Sequence, residues 1–533
     1  MFKHKISLAS VFVLLVFGIF MGTQIRAVSE DNIYEQFNKF KDVLNYTQKY
    51  YVDEVQVSEL VAHAVEGMLK SLDPHSVYIS PKQLEKVQED FKGSFEGIGI
   101  EFRIVNDTIT VANVIYGGPS EKVGLLSGDK IVEIDNESAV KFENDDVQKK
   151  LRGEKGTKVV VGVMRSGLSE PISFTITRDK IPLYSVNANF LLDDGVGYMS
   201  INRFSSTTYE EFLTGLRDLR TKGMKKLVLD LRGNPGGYLE QSFRLANEFL
   251  SRGQKIVYTK GRRSDFDENF VATGSGEFQD LPLIVMLSNG SASASEIVAG
   301  AVQDHDRGLI VGETSFGKGL VQRQFELTDG SAFRLTTARY YTPSGRMIQR
   351  PYDGSDEDYY RGAYRREEAD GDNIEHTEEA DSTRPVYKTD SGRPVYGGGG
   401  ITPDYIVRYD DLQPYVARMR VLVFEYGTAY MDKNGAALRK KYDKADASDF
   451  IKSFTITDAM MKEFIEFGKS KGVEFNKEEY DKDKDWLQAV VKAQIARTLY
   501  GNEGQFRSML EVDPQYQKAV SLFPEARKIA GLR

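Results

Sequence analysis

The residues of this chain with the clearest chemical potential are the serines of Ser291-Ala292-Ser293-Ala294-Ser295-Glu296. They follow the apolar run Leu283-Ile284-Val285-Met286-Leu287 and precede the apolar run Ile297 to Val302. That order puts Ser293 where a buried strand hands over to a helix. A residue there has free amides beside it and the positive end of the helix dipole behind it. Such a serine can attack a carbonyl while the next amide holds the oxyanion. The same letters, Ser293-x-x-Glu296, also spell a capping box, in which the hydroxyl only terminates a helix. A base would decide between the two readings. His305 lies 305 − 293 = 12 positions along the same helical direction, roughly 18 Å away at a rise of 1.5 Å per residue. It cannot reach the hydroxyl, and no Ser-His-Asp arrangement is legible. Lys318 is the better base. It sits in Gly312-Glu313-Thr314-Ser315-Phe316-Gly317-Lys318-Gly319, after the strand Leu309-Ile310-Val311. Strand, serine turn, helix, strand and lysine turn bring both turns to one sheet edge. A lysine in an apolar, partly desolvated site has a lowered pKa and acts as general base. The run is not a Walker loop, because Gly319 follows the lysine where Ser or Thr would be needed.

Composition limits what else can act. The 533 residues carry 70 Lys+Arg against 79 Asp+Glu, a net charge of −9, with 40% hydrophobic residues. At about 150 residues per domain, this is a chain of three or four folded modules. The acidic balance argues against nucleic acid as a partner, which needs a basic footprint. With Cys 0, disulfides, thiolate metal sites and a Cys nucleophile are excluded. The 5 His (His4, His63, His75, His305, His376) form no HExxH and no tight pair. A His-built zinc site is therefore not expected.

Around these residues the chain divides by pattern. Residues 1–28 open on Met1-Phe2-Lys3-His4-Lys5 and an apolar run, as in a secretory signal or an uncleaved membrane anchor, so the bulk is expected to be exported to the periplasm or cell envelope. Residues 29–92 are helical, with Ile33, Phe37, Phe40 and Leu44 on one stripe; stripes of this kind serve packing or dimer contacts. Residues 93–180 turn to short strands. Residues 181–350 alternate strand and helix, with Lys226 to Leu231 a buried strand ending in Arg232-Gly233-Asn234-Pro235-Gly236-Gly237. Residues 351–398 are acidic, Tyr-rich and without periodicity, which reads as a solvated surface insertion. Residues 399–411 return to the core, and 412–533 form a helical C-terminal extension whose pattern points to nothing more specific than packing or assembly.

The strand-rich segment resembles a PDZ domain. Gly97-Ile98-Gly99-Ile100 looks like its carboxylate-binding loop, and Gly128-Asp129-Lys130-Ile131 follows in register. A glycine-bearing turn can aim successive amides at a terminal carboxylate while the adjoining strand edge pairs with the peptide. The serine run, with Phe316-Gly317-Lys318-Gly319 and Gln322, resembles the carboxyl-terminal processing proteases, the tail-specific Ser/Lys peptidases. Leu72-Asp73-Pro74-His75-Ser76, the PDZ segment, Asp230 to Gly237 and Tyr340-Tyr341-Thr342-Pro343-Ser344-Gly345 match in the family's order. The resemblance implies an α/β multidomain protein, an α/β serine-peptidase core with an inserted PDZ domain between a helical N-terminal region and a helical C-terminal extension. It implies Ser293 as nucleophile, Lys318 as general base and Gln322 as the residue orienting the lysine amine. The Ser/Lys chemistry so implied needs no metal and no nucleotide cofactor. A straight strand spans about 13 Å in four residues, so the chain near Gly319 must curl for Gln322 to reach Lys318. The implied oxyanion donors are the Ala294 amide and an amide of either Gly236 or Gly237. Arg152 either couples the PDZ segment to a core carboxylate or carbonyl, or is a turn arginine in solvent. The expected substrates are proteins or peptides with apolar C-termini. The helical arms are compatible with a homodimer. The rival reading is a PDZ scaffold that binds C-termini without cleaving them.

Overall fold

A computed structural model describes residues 32–352, 355–364, 371–374 and 384–532 of the chain. The signal-or-anchor segment, 1–28, lies outside them. No described helix is long and apolar enough to cross a membrane.

Two compact units divide at Tyr78/Ile79. The first contains helices α1 (Ile33–Tyr50) and α2 (Val57–Lys70). The Asn32 side chain caps α1 by accepting from the Tyr34 amide. Of the stripe read from the sequence, Ile33, Phe37 and Phe40 are exposed. After α2, Asp73 accepts from the His75 and Ser76 amides and from the Ser76 hydroxyl, closing the Leu72-to-Ser76 turn.

The second unit starts with α3 (Pro81–Lys92), which opens on a Ser80/Gln83 capping box with Pro81 in its first turn. Next comes an antiparallel sheet of β1 (Ile100–Val105), β2 (Thr108–Val114), β3 (Lys130–Ile134), β4 (Lys158–Met164) and β5 (Ile172–Thr177), in that spatial order. Helix α4 (Asn144–Leu151) packs on it through Val147 and Leu151. Alternate residues Val159, Val161 and Val163 of β4 point into this small core, as period-two side-chain geometry requires. Strands Ser94–Gly97 and Asp179–Pro182 pair where the module leaves and rejoins the chain.

The core follows with β6 (Val186–Leu191), β7 (Val196–Ile201), α5 (Thr208–Thr221), β8 (Lys226–Asp230), α6 (Leu239–Asn247), β9 (Lys255–Gly261), β10 (Leu283–Leu287), α7 (Ala294–Asp304), β11 (Leu309–Gly312), β12 (Leu320–Glu326) and β13 (Ala332–Tyr341). The central sheet is ordered β6-β7-β8-β10-β11 and continues into β14 (Tyr405–Ile406) and Gly371–Asp372. From β7 to β14 it is parallel. Parallel strands covered on both faces are apolar throughout, and here the two faces have separate partners. Leu227, Leu229, Val285 and Leu287 pack with Phe212, Leu245 and Val298 from α5, α6 and α7. Val228, Ile284, Met286 and Val311 pack with Leu510, Tyr516, Ala519 and Phe523 from the C-terminal extension.

That extension comprises α9 (Pro414–Lys441), α10 (Lys477–Leu510), α11 (Pro514–Ser521) and α12 (Phe523–Ile529), with shorter helices between α9 and α10; α8 (Asp356–Gly362) precedes it. Met460, Phe464 and Val491 share one core with Tyr415 and Met419. The extension also touches the PDZ-like sheet. Lys130 meets Asp432 at 2.8 Å, Arg497 meets Glu101 at 2.6 Å, and Arg103 stacks on Phe424.

The acidic segment corrects an expectation. Its described part is not simply a solvated loop. In α8, Tyr359 buries against Phe316 and Ala292 together with Ala363, and Val386–Lys388 pairs with Pro394–Tyr396. Charge dominates the composition of 351–398, yet a few aromatic and small residues suffice to anchor a short helix.

Candidate active site

Strands β8, β10 and β11 are consecutive in the parallel sheet, so the turns that follow them gather at one sheet edge. These turns are Arg232 to Gly237, Ser288 to Ser293 and Glu313 to Gly319. Ser293, Lys318, Gln322, Gly236, Gly237 and Tyr340 line one cavity of about 1070 Å³, which also takes in Val87, Gln88 and Phe91 from α3. Apolar patches on its wall come from Leu239, Phe270, Ile297 and Leu320.

Ser293 adopts φ 55°, ψ −110°. An ordinary capping serine lies in the extended region, whereas this conformation is strained and costs about 1–3 kcal/mol. The Ser293 carbonyl accepts from the buried Tyr340 hydroxyl at 3.2 Å. Burial pushes the Tyr340 phenol well above its ordinary pKa, keeping it a donor, and nearby Glu296 adds to the shift.

Glu296, read from sequence only as a cap partner, joins the two turns. It is fully buried. Its Oε2 accepts from the Ser293 amide at 2.7 Å and the Lys318 amide at 2.9 Å. Its Oε1 accepts from the Ser315 hydroxyl at 2.5 Å and the Gly317 amide at 2.7 Å. One carboxylate oxygen thus ties the backbone of the serine to the backbone of the lysine. Burial raises the Glu296 carboxyl above its ordinary pKa, although the four donors pull it down. Its burial within the wholly buried α7 is the signal that sequence reading passed over.

Asn234 ties the Arg232-to-Gly237 turn to the serine turn. Its carbonyl accepts from the Ala292 amide and the Ser295 hydroxyl, and its side-chain amide donates to the Ile201 carbonyl. Its Oδ1 accepts from the Gly236 amide at 2.9 Å, so that amide is already committed. The Ala294 and Gly237 amides have no acceptor among the described residues. Gly236 at φ 97° lies so close to the serine that a Cβ would stand 2.8 Å from Ser293 Cβ and from the Ala292 carbonyl oxygen.

Between Val321 and Gln322 the pairing of β12 with β13 slips by one residue, a bulge just beyond Gly319. Gln322 lines the cavity with Lys318 and donates to Thr336 Oγ1 at 3.3 Å. His305 stands apart, between Asp390 and the Lys255 carbonyl.

In the PDZ-like module, Ser120 holds the Ile98 carbonyl by its amide and its hydroxyl. The Ile98 and Gly99 amides have no acceptor among the described residues. Gly97, Ile98, Gly99 and Ile100 thus lead into edge strand β1, opposite α4. Arg152 pairs with Glu89 at 2.5 Å and stacks on Phe95. Its partner is on α3, the helix that walls the cavity, and not on the core as the coupling reading had it.

Both halves match known families. Residues 195–360 match peptidase family S41, and residues 97–176 match the PDZ domain. The class is that of PDZ-containing serine-type peptidases. Residues 21–83 match the N-terminal domain of the activating protease CtpB, and 416–501 match a family of unknown function. The chain is 38% identical to the carboxy-terminal-processing protease of Bartonella bacilliformis over 62% of this chain and 76% of that one. It is 36% identical to the carboxyl-terminal-processing protease of Synechocystis sp., over 61% of this chain and 77% of that one. With CtpB of Bacillus subtilis the identity is 35%, over 59% and 65% of the two chains. The chain belongs to the carboxy-terminal processing protease family.

Proposed function

We propose that this protein is an exported endopeptidase that captures apolar protein C-termini on its PDZ domain and cleaves nearby bonds with a Ser293/Lys318 dyad. The observation that carries the reading is the shared Glu296 oxygen, which fixes a strained serine and the lysine turn to each other at the edge of one cavity. The neutral Lys318 amine takes the Ser293 hydroxyl proton as Oγ attacks the peptide carbonyl. The oxyanion that forms is met by the Ala294 and Gly237 amides. Gly237 is preferred to Gly236 because the Gly236 amide is spent on Asn234. Lys318 then protonates the leaving amine, and water attacks the acyl-Ser293 ester with the same lysine as base. Gln322 keeps the lysine amine oriented from beside the bulge.

The Ile98 and Gly99 amides meet the substrate's terminal carboxylate, and its chain adds to the β1 edge. Arg152, through Glu89, ties this module to the helix over the cavity. Residues 1–28 direct export to the periplasm or cell envelope, as a cleaved signal or a single anchor. The assembly as a homodimer through the helical arms belongs to the same reading.

Treatment with a fluorophosphonate followed by peptide mapping tests the dyad. Label on Ser293, abolished by Lys318→Ala in a folded protein, is the expected result. Label elsewhere, or none on a protein that still cleaves, overturns it. A protein that binds C-terminal peptides yet neither labels nor cleaves is the scaffold.

A further inference from the structure

The C-terminal extension reaches the edge of the sheet where the three turns gather. Arg232, first residue of the turn after β8, is held between two buried carboxylates, Asp230 at 2.6 Å and Asp513 at 2.8 Å. Asp513 lies between α10 and α11, outside the peptidase core. Arg232 also donates to the Tyr409 hydroxyl at 2.7 Å and to Gln515 Oε1 at 2.9 Å. Asp230 accepts in addition from the Arg232 amide at 3.0 Å and from the Tyr198 hydroxyl at 2.6 Å. The start of the turn is therefore clamped by a side chain contributed from 513 − 232 = 281 positions downstream.

Adhesion does not require this cluster. The extension already covers the sheet with Leu510, Tyr516, Ala519 and Phe523. Buried ion pairs return little net stability, because desolvating the charges offsets their attraction. What such a cluster does well is fix geometry, here at the root of the turn whose far end presents the Gly237 amide. From Arg232 the turn runs to Asn234, which fastens it to the Ser293 loop.

We propose that Asp513 is a positioning residue of the peptidase site: acting through Arg232, the C-terminal extension sets the turn that carries the Gly237 oxyanion donor. This rests on the catalytic reading above.

Asp513 has a second duty that makes a clean test available. Its side chain caps α11 by accepting from the Tyr516 amide at 3.0 Å. Asparagine caps as well as aspartate does, so Asp513→Asn keeps the cap and removes the charge facing Arg232. The full-length protein is assayed on an unfolded substrate with an apolar C-terminus. The expected result for Asp513→Asn is a fall of about tenfold in kcat with KM unchanged, a fraction of the 10²–10³ lost when an oxyanion donor is deleted outright. Asp513→Glu, which keeps the charge, restores kcat to within about threefold. In an Arg232→Gln background, Asp513→Asn costs less than about twofold more, because its route is already cut. A wild-type kcat for Asp513→Asn, a loss that falls on KM, or a full independent loss in the Arg232→Gln background overturns the proposal. Ser293→Ala is run alongside. If it is inert while Asp513→Asn is fully active, only the positioning role fails. If Ser293→Ala still cleaves, the catalytic reading fails and this inference falls with it.

Discussion

Replacing Glu296 with glutamine separates holding the site together from holding the protein together. The carboxylate receives two donors on each oxygen, Ser293 and Lys318 amides on one, Ser315 and Gly317 on the other. A carboxamide has one acceptor end. Whichever way it sits, its NH2 faces donors from one of the two sides, and that side is released. A hydrogen bond to a charged group is worth about 1.5–3 kcal/mol. If that is the cost of bringing the released turn back for each turnover, kcat falls roughly 10- to 150-fold at 1.36 kcal/mol per decade. Global stability should change much less, because the wild-type charge sits where burial penalises it. The assay is kcat and KM on an unfolded protein substrate beside a calorimetric melt of both proteins. Glu296→Gln with kcat within twofold of wild type would refute the reasoning. So would a loss of activity fully accounted for by unfolding.

The same carboxyl gives a pH dependence. Its folded-state pKa is raised above the ordinary 4.5, so its protonation favours the fold. That stability is fully present below about pH 4.5 and is lost as the pH rises through the raised value. The wild-type melting temperature is therefore expected to fall relative to Glu296→Gln from pH 4.5 upward, and a rise would contradict it. Gly236→Ala should fold but lose most of its activity, since the added methyl meets Ser293 Cβ and the Ala292 carbonyl at 2.8 Å in a left-handed backbone; retained kcat in a folded variant would count against the close approach. Amidating the C-terminus of a good substrate should raise KM by tenfold or more, because the Ile98 and Gly99 amides then meet no carboxylate; an unchanged KM would remove the PDZ domain from substrate capture.

Much of this was legible because function and topology left separate marks in the sequence. The apolar strands Leu283–Leu287 and Leu309–Gly312, each followed by small residues and a chemically able side chain, implied a parallel sheet with two turns at one edge, and they pair in parallel. The PDZ segment was readable from glycines in register with short alternating strands. What escaped was carried by contacts between distant positions. Glu296 looked like a cap because its partners on the lysine turn lie about twenty residues on. The extension looked like an appendage, although Ile284, Met286 and Val311 are apolar on a face that α5, α6 and α7 do not cover. A strand apolar on both faces requires a second layer, and that was the available clue. Tyr359 was hidden among the charges around it.

The central claim is tested most directly by cleavage of an unstructured protein with an apolar C-terminus, read by intact mass. Wild type, Ser293→Ala and Lys318→Ala would be compared without residues 1–28, at mildly alkaline pH and with EDTA present. The account predicts fragments from the wild type alone, with both variants folded and silent. Undiminished cleavage by Ser293→Ala would contradict it.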